Sequence, residues 1–148
     1  MLGPTRDTLH FLIVDDDESD IEFVEHALRR IGSSAKVSSV DNGFDALRFL
    51  RRESPFEHVD AVDVVLLDIS MPRMSGHEVL ARIRGDAKLA ALPVVMFTSS
   101  ASDRDVDRAY ESEASSYVVK PIDVGEFRAA IESIHSYWSQ HCSLPPAS

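Results

Sequence analysis

The most constraining feature of this chain is an aliphatic run that stops at a single carboxylate. Residues 64–67 read Val-Val-Leu-Leu and are followed at once by Asp68. Consecutive aliphatic residues with β-branched members at the start predict a strand over 61–68 that is buried on both faces, with Asp68 as its last residue. Turn residues from Met71 to Gly76 then lead into a helix over about 76–84. The pattern fixes a carboxylate at the carboxyl end of a central strand, which is the edge where open α/β sheets bind ligands.

Composition and charge exclude several classes of function. The chain has 148 residues, of which 44% are hydrophobic and 27% charged, as is ordinary for one globular domain over 1–148. Its formal net charge of −10 argues against a nucleic-acid surface as the main working face. No apolar run approaches the ~20 residues of a membrane span, the start lacks a signal-peptide pattern, and the single Cys142 excludes an internal disulfide. We therefore expect a soluble cytoplasmic protein without nucleic-acid or membrane partners.

Apolar segments at regular intervals predict strands that alternate with helices. The predicted strands occupy residues 9–14, 36–40, 61–68, 93–98 and 116–121. The predicted helices begin near Asp17 or Ser19, Asn42, Gly76, Asp103 and Asp123, and Asp103 is expected to cap the fourth. The last helix is expected to carry one apolar stripe, formed by Phe127, Ile131, Ile134 and Trp138. This alternation predicts a parallel five-stranded sheet with helices on both faces. The polar segment 51–60 is expected to be a surface loop or a helix extension, and it carries no assigned chemistry.

Chemically active side chains stand at the ends of these predicted strands. They are Asp15 and Asp16 on the first, Asp68 on the third, Thr98 on the fourth and Lys120 on the fifth. Because the carboxyl ends of parallel strands share one edge of a sheet, we expect them to lie close together. Carboxylates a few ångströms apart repel by about 1 to 4 kcal/mol per pair. Mg²⁺ removes that cost and prefers carboxylate oxygens to the His or Cys ligands that zinc favours.

The same set has the parts of a phosphoryl acceptor. With a cation in place, Asp68 can act as a nucleophile toward a phosphoryl donor and form an aspartyl phosphate. Lys120 supplies a compact positive charge and Thr98 a hydroxyl donor, both suited to the oxygens of the incoming group.

The motifs together resemble the receiver domain of response regulators. They are Val14-Asp15-Asp16, Leu67-Asp68 with Met71-Pro72 and Gly76, Phe97-Thr98-Ser99, and Tyr117 ahead of Lys120-Pro121. The resemblance spans about residues 9–139 and leaves 140–148 as a C-terminal tail. It implies a flavodoxin-like (βα)5 three-layer fold with strand order 2-1-3-4-5, which places the first and third strands side by side.

The resemblance also implies a role for each acidic residue. Asp68 would be the phosphoacceptor. Asp16 and Asp68 would bind Mg²⁺ directly together with the main-chain carbonyl of Ser70, and Asp15 would act mostly through a metal-bound water. Many relatives carry Asn where this chain has Ser70, and the lifetime of the phosphorylated state is therefore left open.

A second group of residues would respond to the phosphoryl group. By resemblance, Lys120 pairs with that group, and its bond to Pro121 is expected to be cis. Thr98 and Tyr117 would be the switch pair, whose movement changes the surface formed by the fourth helix, fifth strand and fifth helix. Ser100, two residues after Thr98, is a second departure that bears on the phosphoryl lifetime.

Partners are implied by the same resemblance. With no output domain expected after the fifth helix, the chain resembles a stand-alone regulator that is phosphorylated by a histidine kinase and signals by contact. The loop at 51–60 and the end Tyr137-Trp138, followed by Leu144-Pro145-Pro146, resemble regulators paired with phytochrome-type light-sensing kinases. We expect a homodimer through the fourth helix, fifth strand, fifth helix and tail. Tyr137 and Trp138 are the interface candidates, and Trp138 fits core packing equally well.

Other interpretations of the same residues remain. Asp15 to Glu18 could be a solvated acidic cap and Asp68 a strand-end cap, but their joint occurrence with Thr98 and Lys120 favours a site. The alternative function is a Mg²⁺-dependent aspartyl-phosphate phosphohydrolase. Hydrolases of the haloacid-dehalogenase type place a second Asp two residues after the nucleophile, where this chain has Ser70. We therefore expect a phosphoacceptor with slow self-dephosphorylation and not an enzyme.

Overall fold

The computed structural model describes residues 8–31 and 35–141. Its strands are His10–Val14 (β1), Lys36–Val40 (β2), Val64–Leu67 (β3), Val94–Thr98 (β4) and Ser116–Val119 (β5). Its helices are Glu18–Arg30 (α1), Gly43–Arg51 (α2), Gly76–Arg84 (α3), Asp103–Glu111 (α4) and Val124–Ser136 (α5), and α5 runs on into a π-helical turn, Tyr137–His141. Most of the predicted tail, from residue 142 onward, lies outside the described residues. No helix within the described ranges is both long and apolar enough to cross a membrane.

The strands form one parallel sheet in the order β2-β1-β3-β4-β5. This arrangement confirms the predicted flavodoxin-like fold. Val14 pairs with Val40 on one side and with Leu67 on the other. The backbone N–H of Asp68 donates to the carbonyl of Val14 over 2.9 Å, so the pairing of β1 with β3 continues one residue beyond Leu67. Register alone therefore brings the residues that follow β1 and β3 together.

Two apolar layers enclose the sheet, because successive strand residues point to opposite faces. Leu12 and Leu67 pack on the side of α2 and α3, together with Leu80. Phe11 and Leu66 face the other side, where α1 and α5 lie. The predicted stripe of the last helix is part of this second layer. Phe127, Ile131 and Ile134 lie on α5, and Trp138 lies on the π-helical turn that follows it.

Several local predictions are corrected by the structure. The third strand begins at Val64 rather than at 61, and Asp68 follows it instead of ending it. Ser102, not Asp103, caps α4, because its hydroxyl accepts the backbone N–H of Asp105. The cis proline bond among the described residues is Ser54–Pro55, so the expected cis bond at Pro121 is wrong.

A cavity of about 720 Å³ lies at the amino ends of β3 and β4, opposite the predicted site. The loop after α2 and the connection between α3 and β4 form its walls. Apolar side chains such as Phe49 and Leu89 line it beside the ion pair of Arg51 with Asp86, which are 3.1 Å apart. The polar segment predicted at 51–60 is thus a loop at the edge of the sheet remote from Asp68.

Candidate functional site

Three carboxylates meet at the carboxyl edge of the sheet. Oxygen atoms of Asp15, Asp16 and Asp68 all lie within 4.8 Å of one another. Asp15 and Asp68 are buried, whereas Asp16 is exposed. One oxygen of Asp15 accepts the N–H of Asp17 over 2.9 Å, and one oxygen of Asp68 accepts the N–H of Ile69 over 2.7 Å. These backbone hydrogen bonds fix the orientation of the two buried carboxylates, and the structure therefore brings together the three acids that the sequence places at strand ends.

A single ammonium group joins the buried acids. Lys120 Nζ donates to Asp15 over 2.6 Å, to Asp20 over 2.7 Å and to Asp68 over 3.2 Å. Its backbone N–H donates to the carbonyl of Thr98 over 2.7 Å, which places the residue directly after β5 at the same edge. The Lys120 side chain is only 7% exposed, so its charge is compensated by protein carboxylates rather than by water.

Asp20 is a site residue that the sequence interpretation missed. It lies in the first turn of α1, three residues after the capping Asp17. Helical side chains tilt toward the N-terminus of their helix, so a carboxylate in this turn reaches back to the sheet edge. The sequence interpretation limits the acidic segment to Asp15–Glu18. The tilt of side chains in the first turn of a helix is the signal that could have extended this segment to Asp20.

Burial perturbs the ionisation of Asp15 and of Lys120. Burial raises the pKa of Asp15 to about 6, although the hydrogen bond from Lys120 opposes the shift. For Lys120, burial alone would lower the pKa, but the hydrogen bonds to Asp15 and Asp20 outweigh it and hold that pKa above its ordinary value. The amine therefore stays charged, and the cluster of Asp15, Asp16, Asp20 and Asp68 keeps an excess of negative charge.

The chemistry of the acids suits a hard divalent cation. Three carboxylates converge, and one shared ammonium cannot neutralise all of them. Oxygen ligands of this kind fit Mg²⁺ or Mn²⁺ better than zinc. Asp15, Asp16 and Asp68 are the side chains that would hold the ion.

The hydroxyl groups of Thr98 and Tyr117 both form hydrogen bonds with the backbone of Ser100. Thr98 is the fully buried last residue of β4, and its hydroxyl oxygen accepts the N–H of Ser100 over 3.4 Å. The Tyr117 hydroxyl donates to the carbonyl of Ser100 over 2.8 Å, and burial raises the pKa of Tyr117. Both predicted switch residues are thus anchored to the backbone of Ser100.

The remaining candidates occupy different environments. Ser70 is exposed two residues after Asp68, in the turn before α3. Trp138, on the π-helical turn after α5, is buried in the apolar layer that contains α1 and α5. Tyr137 is 51% exposed, and its ring meets the Trp138 ring edge-on with centroids 4.9 Å apart. The carbonyl role of Ser70 and the interface roles of Tyr137 and Trp138 stay predictions.

Comparison with known protein families identifies the family to which this fold and site belong. A family model described as the response regulator receiver domain matches residues 11–132. The chain belongs to this family. Its resemblance to receiver domains, predicted from the motifs at the strand ends, is therefore confirmed. Receiver domains are components of two-component systems that act as signalling phosphoacceptors and not as classical enzymes.

Individual relatives of this receiver domain cover nearly its full length. It is 33% identical over 133 residues to the probable methanogenesis regulatory protein FilR2 of Methanothrix harundinacea, covering 90% of this chain and 85% of FilR2. It is 29% identical over 136 residues to the response regulator Rcp1 of Synechocystis sp., covering 92% of each. An Mn²⁺-bound structure of Rcp1 superposes with a TM-score of 0.87 at 28% identity, covering 93% of this chain and 99% of that one. The phosphorylated cyanobacterial phytochrome response regulator RcpA superposes with a TM-score of 0.90 at 27% identity, covering 94% and 99%.

Proposed function

We propose that this receiver domain accepts a phosphoryl group on Asp68 from a sensor histidine kinase. The observation that carries the proposal is the meeting of Asp15, Asp16 and Asp68 within 4.8 Å beside the amine of Lys120. In the proposed reaction an Asp68 carboxylate oxygen forms the new bond to phosphorus. The bond from phosphorus to the donor imidazole nitrogen breaks, and its electron pair stays on the imidazole.

Mg²⁺ is the proposed cofactor, held by Asp15, Asp16, Asp68 and the main-chain carbonyl of Ser70. When bound, the ion would neutralise the carboxylates and so reduce their repulsion of an anionic phosphoryl donor. The fit of the carboxylate donors supports this assignment, and so does the Mn²⁺-bound form solved for Rcp1.

Lys120 and Thr98 are the proposed contacts for the transferred group. Lys120 already lies 3.2 Å from Asp68, so its amine can exchange Asp15 and Asp20 for phosphoryl oxygens with little movement. The Thr98 hydroxyl oxygen only accepts a long hydrogen bond from Ser100, which leaves its proton free for donation to the phosphoryl group. Reorientation of Thr98 would pull on Ser100 and thereby on Tyr117.

The proposed output is contact through the face formed by α4, β5 and α5. Exposed apolar side chains mark this face, among them Tyr110 on α4, Val119 on β5 and Val124 on α5. We propose that the protein forms a homodimer through this face and the C-terminal tail, and that it signals by contact. A phytochrome-type kinase is the proposed donor, because both Rcp1 and the phytochrome response regulator RcpA align over nearly the whole chain.

The phosphohydrolase alternative gains no support from the site. The position two residues after Asp68 holds the exposed Ser70 and not a second carboxylate. Loss of the phosphoryl group is proposed to be slow self-dephosphorylation.

Phosphorylation by acetyl phosphate and Mg²⁺ tests the assignment of Asp68. Intact-mass spectrometry should show one added phosphoryl group on the wild type and none on Asp68→Asn. Asp103→Asn, which alters an exposed acid in the first turn of α4, is the matched control and should react like the wild type. Equal labelling of wild type and Asp68→Asn would refute the site. Phosphotransfer profiling against purified histidine kinases, including phytochrome-type ones, then tests the proposed donor.

A further inference from the structure

His77 is a buried polar residue that the proposed phosphorylation chemistry does not use. It is the second residue of α3 and is only 3% exposed. Its Nε2 lies 3.1 Å from an oxygen of Asp105 in α4. An ionised carboxylate can only accept, so Nε2 carries the proton. The other ring nitrogen, Nδ1, is buried and has no hydrogen-bond partner in the described part of the chain. Packing alone would favour an apolar side chain here, because a buried polar atom without a partner is costly.

The hydrogen bond of His77 continues through Asp105 to Ser100. The second oxygen of Asp105 accepts the Ser100 hydroxyl over 2.6 Å. Hydrogen bonds from Ser100 and His77 lower the pKa of Asp105, so its carboxylate remains an acceptor for both. The Ser100 hydroxyl oxygen in turn accepts the N–H of Ser102 over 3.3 Å. The orientation of the Ser100 hydroxyl is thereby fixed.

Each end of this bridge touches the proposed switch machinery. At one end, Ser100 holds the hydroxyl groups of Thr98 and Tyr117 through its own backbone. At the other end, Gly76 immediately precedes His77 and donates its N–H to the carbonyl of Ile69 over 2.9 Å. A Cβ atom added to Gly76 would lie 2.1 Å from the carbonyl oxygen of Asp68. The start of α3 therefore rests directly on the backbone of the proposed phosphoacceptor.

We propose that His77 is a positioning residue. The side-chain bridge His77–Asp105–Ser100 ties the backbone beside Asp68 to the residue that anchors Tyr117. His77 thus sets the orientation of the Tyr117 ring and, through Ser100, the lifetime of the phosphoryl group on Asp68. The claim about lifetime rests on the proposed function, whereas the claim about Tyr117 applies equally to the unphosphorylated protein.

The variants that test the bridge are chosen to keep the fold. His77→Phe retains a ring of similar size, removes the hydrogen bond to Asp105 and removes the unpartnered nitrogen. Asp105→Ala breaks the bridge at its centre. Asp103→Ala is the matched control, because it deletes an exposed acid from the same first turn of α4 without touching His77 or Ser100. Thermal unfolding establishes that each variant is folded before it is compared.

The first measurement is ¹⁹F NMR of protein labelled with 3-fluorotyrosine, without phosphorylation. The Tyr117 signal is identified with Tyr110→Phe and Tyr137→Phe variants. His77→Phe and Asp105→Ala should shift or broaden the Tyr117 signal, and Asp103→Ala should leave it in place. An unchanged Tyr117 signal in folded His77→Phe would overturn the proposal and would reduce the bridge to a contact that only stabilises the helices.

The second measurement is the first-order rate of phosphoryl loss from Asp68 after donor removal. His77→Phe and Ser100→Ala should each change this rate in the same direction by about threefold to tenfold, as expected for one hydrogen bond. The double variant should match the single ones, because both act through one bridge. The claim about lifetime would be overturned if the rate changes of the two single variants multiplied in the double variant, or if His77→Phe left the rate unchanged. If the wild type takes up no phosphoryl group, the proposed function fails, and the NMR result alone decides the role of His77.

Discussion

Lys120 donates a 2.6 Å hydrogen bond to Asp15, although the two residues are 105 positions apart in the chain. The contact exists because β1 and β5 both end at the same edge of a parallel sheet. The contact joins the ammonium group of Lys120 to a carboxyl group whose pKa is raised by burial.

Removal of the Lys120 amine should destabilise the protein in the absence of metal. Lys120→Met leaves the buried carboxylates of Asp15 and Asp68 without their partner, which costs about 3 kcal/mol in comparable buried pairs. Urea unfolding in EDTA should show this loss in the free energy of unfolding. Lys88→Met, on an exposed lysine, should remain close to the wild type. Added Mg²⁺ should recover part of the loss, and a variant as stable as wild type in EDTA would contradict the prediction.

The raised pKa of Asp15 predicts a particular pH dependence. Its pKa is 3.8 when unperturbed and about 6 in the folded protein. The folded state therefore binds the proton more tightly, and this contribution to stability is full below about pH 4 and is lost as the pH rises through 6. Relative to Asp15→Asn, the wild type in EDTA should lose up to about 3 kcal/mol of unfolding free energy between pH 4 and 7. Parallel curves for the two proteins would show that Asp15 titrates normally.

Gly76 should not tolerate a side chain. The Cβ atom of Gly76→Ala would meet the carbonyl oxygen of Asp68 at 2.1 Å, and this neighbour is backbone that cannot rotate away. We expect a loss of about 1 to 3 kcal/mol in unfolding free energy, as for other overpacked sites, and slower phosphorylation of Asp68. Gly85→Ala, whose nearest neighbour would be 3.3 Å away, is the control at the end of the same helix and should be mild. Equal effects of the two substitutions would argue against the close approach as the cause.

The proposed homodimer predicts that a charge introduced at Val119 weakens dimerisation, whereas a charge at the similarly exposed Phe44 does not. Val119 on β5 is 41% exposed on the proposed face, and Phe44 on α2 is 40% exposed near the opposite edge of the sheet. Val119→Lys should shift the protein toward monomer in light scattering at micromolar concentration, whereas Phe44→Lys should not. A wild type that is monomeric with and without phosphorylation would contradict the dimer.

The part of the site that lies at strand ends was predictable from the sequence. Strand order and parallel pairing determine where Asp15, Asp68 and Lys120 must lie, and short aliphatic runs reveal the strands. Asp20 escaped prediction because its contribution depends on the direction of a side chain in the first turn of α1. The contact of His77 with Asp105 escaped it because these residues, 28 positions apart, belong to helices whose mutual packing no local pattern encodes. Cap positions such as Ser102 were missed by one residue, since neighbouring Ser and Asp side chains are both competent caps.

The cavity at the amino ends of β3 and β4 has a consequence for how such chains can diverge. Strands of four or five residues at about 3.3 Å per residue separate its walls from the carboxylates by the full height of the sheet. Insertions or replacements in the loop after α2 can therefore accumulate over evolution without disturbing the acids. The loops at the amino ends of the strands can therefore change in sequence and length, whereas the carboxyl ends must keep the acids and the amine of the site.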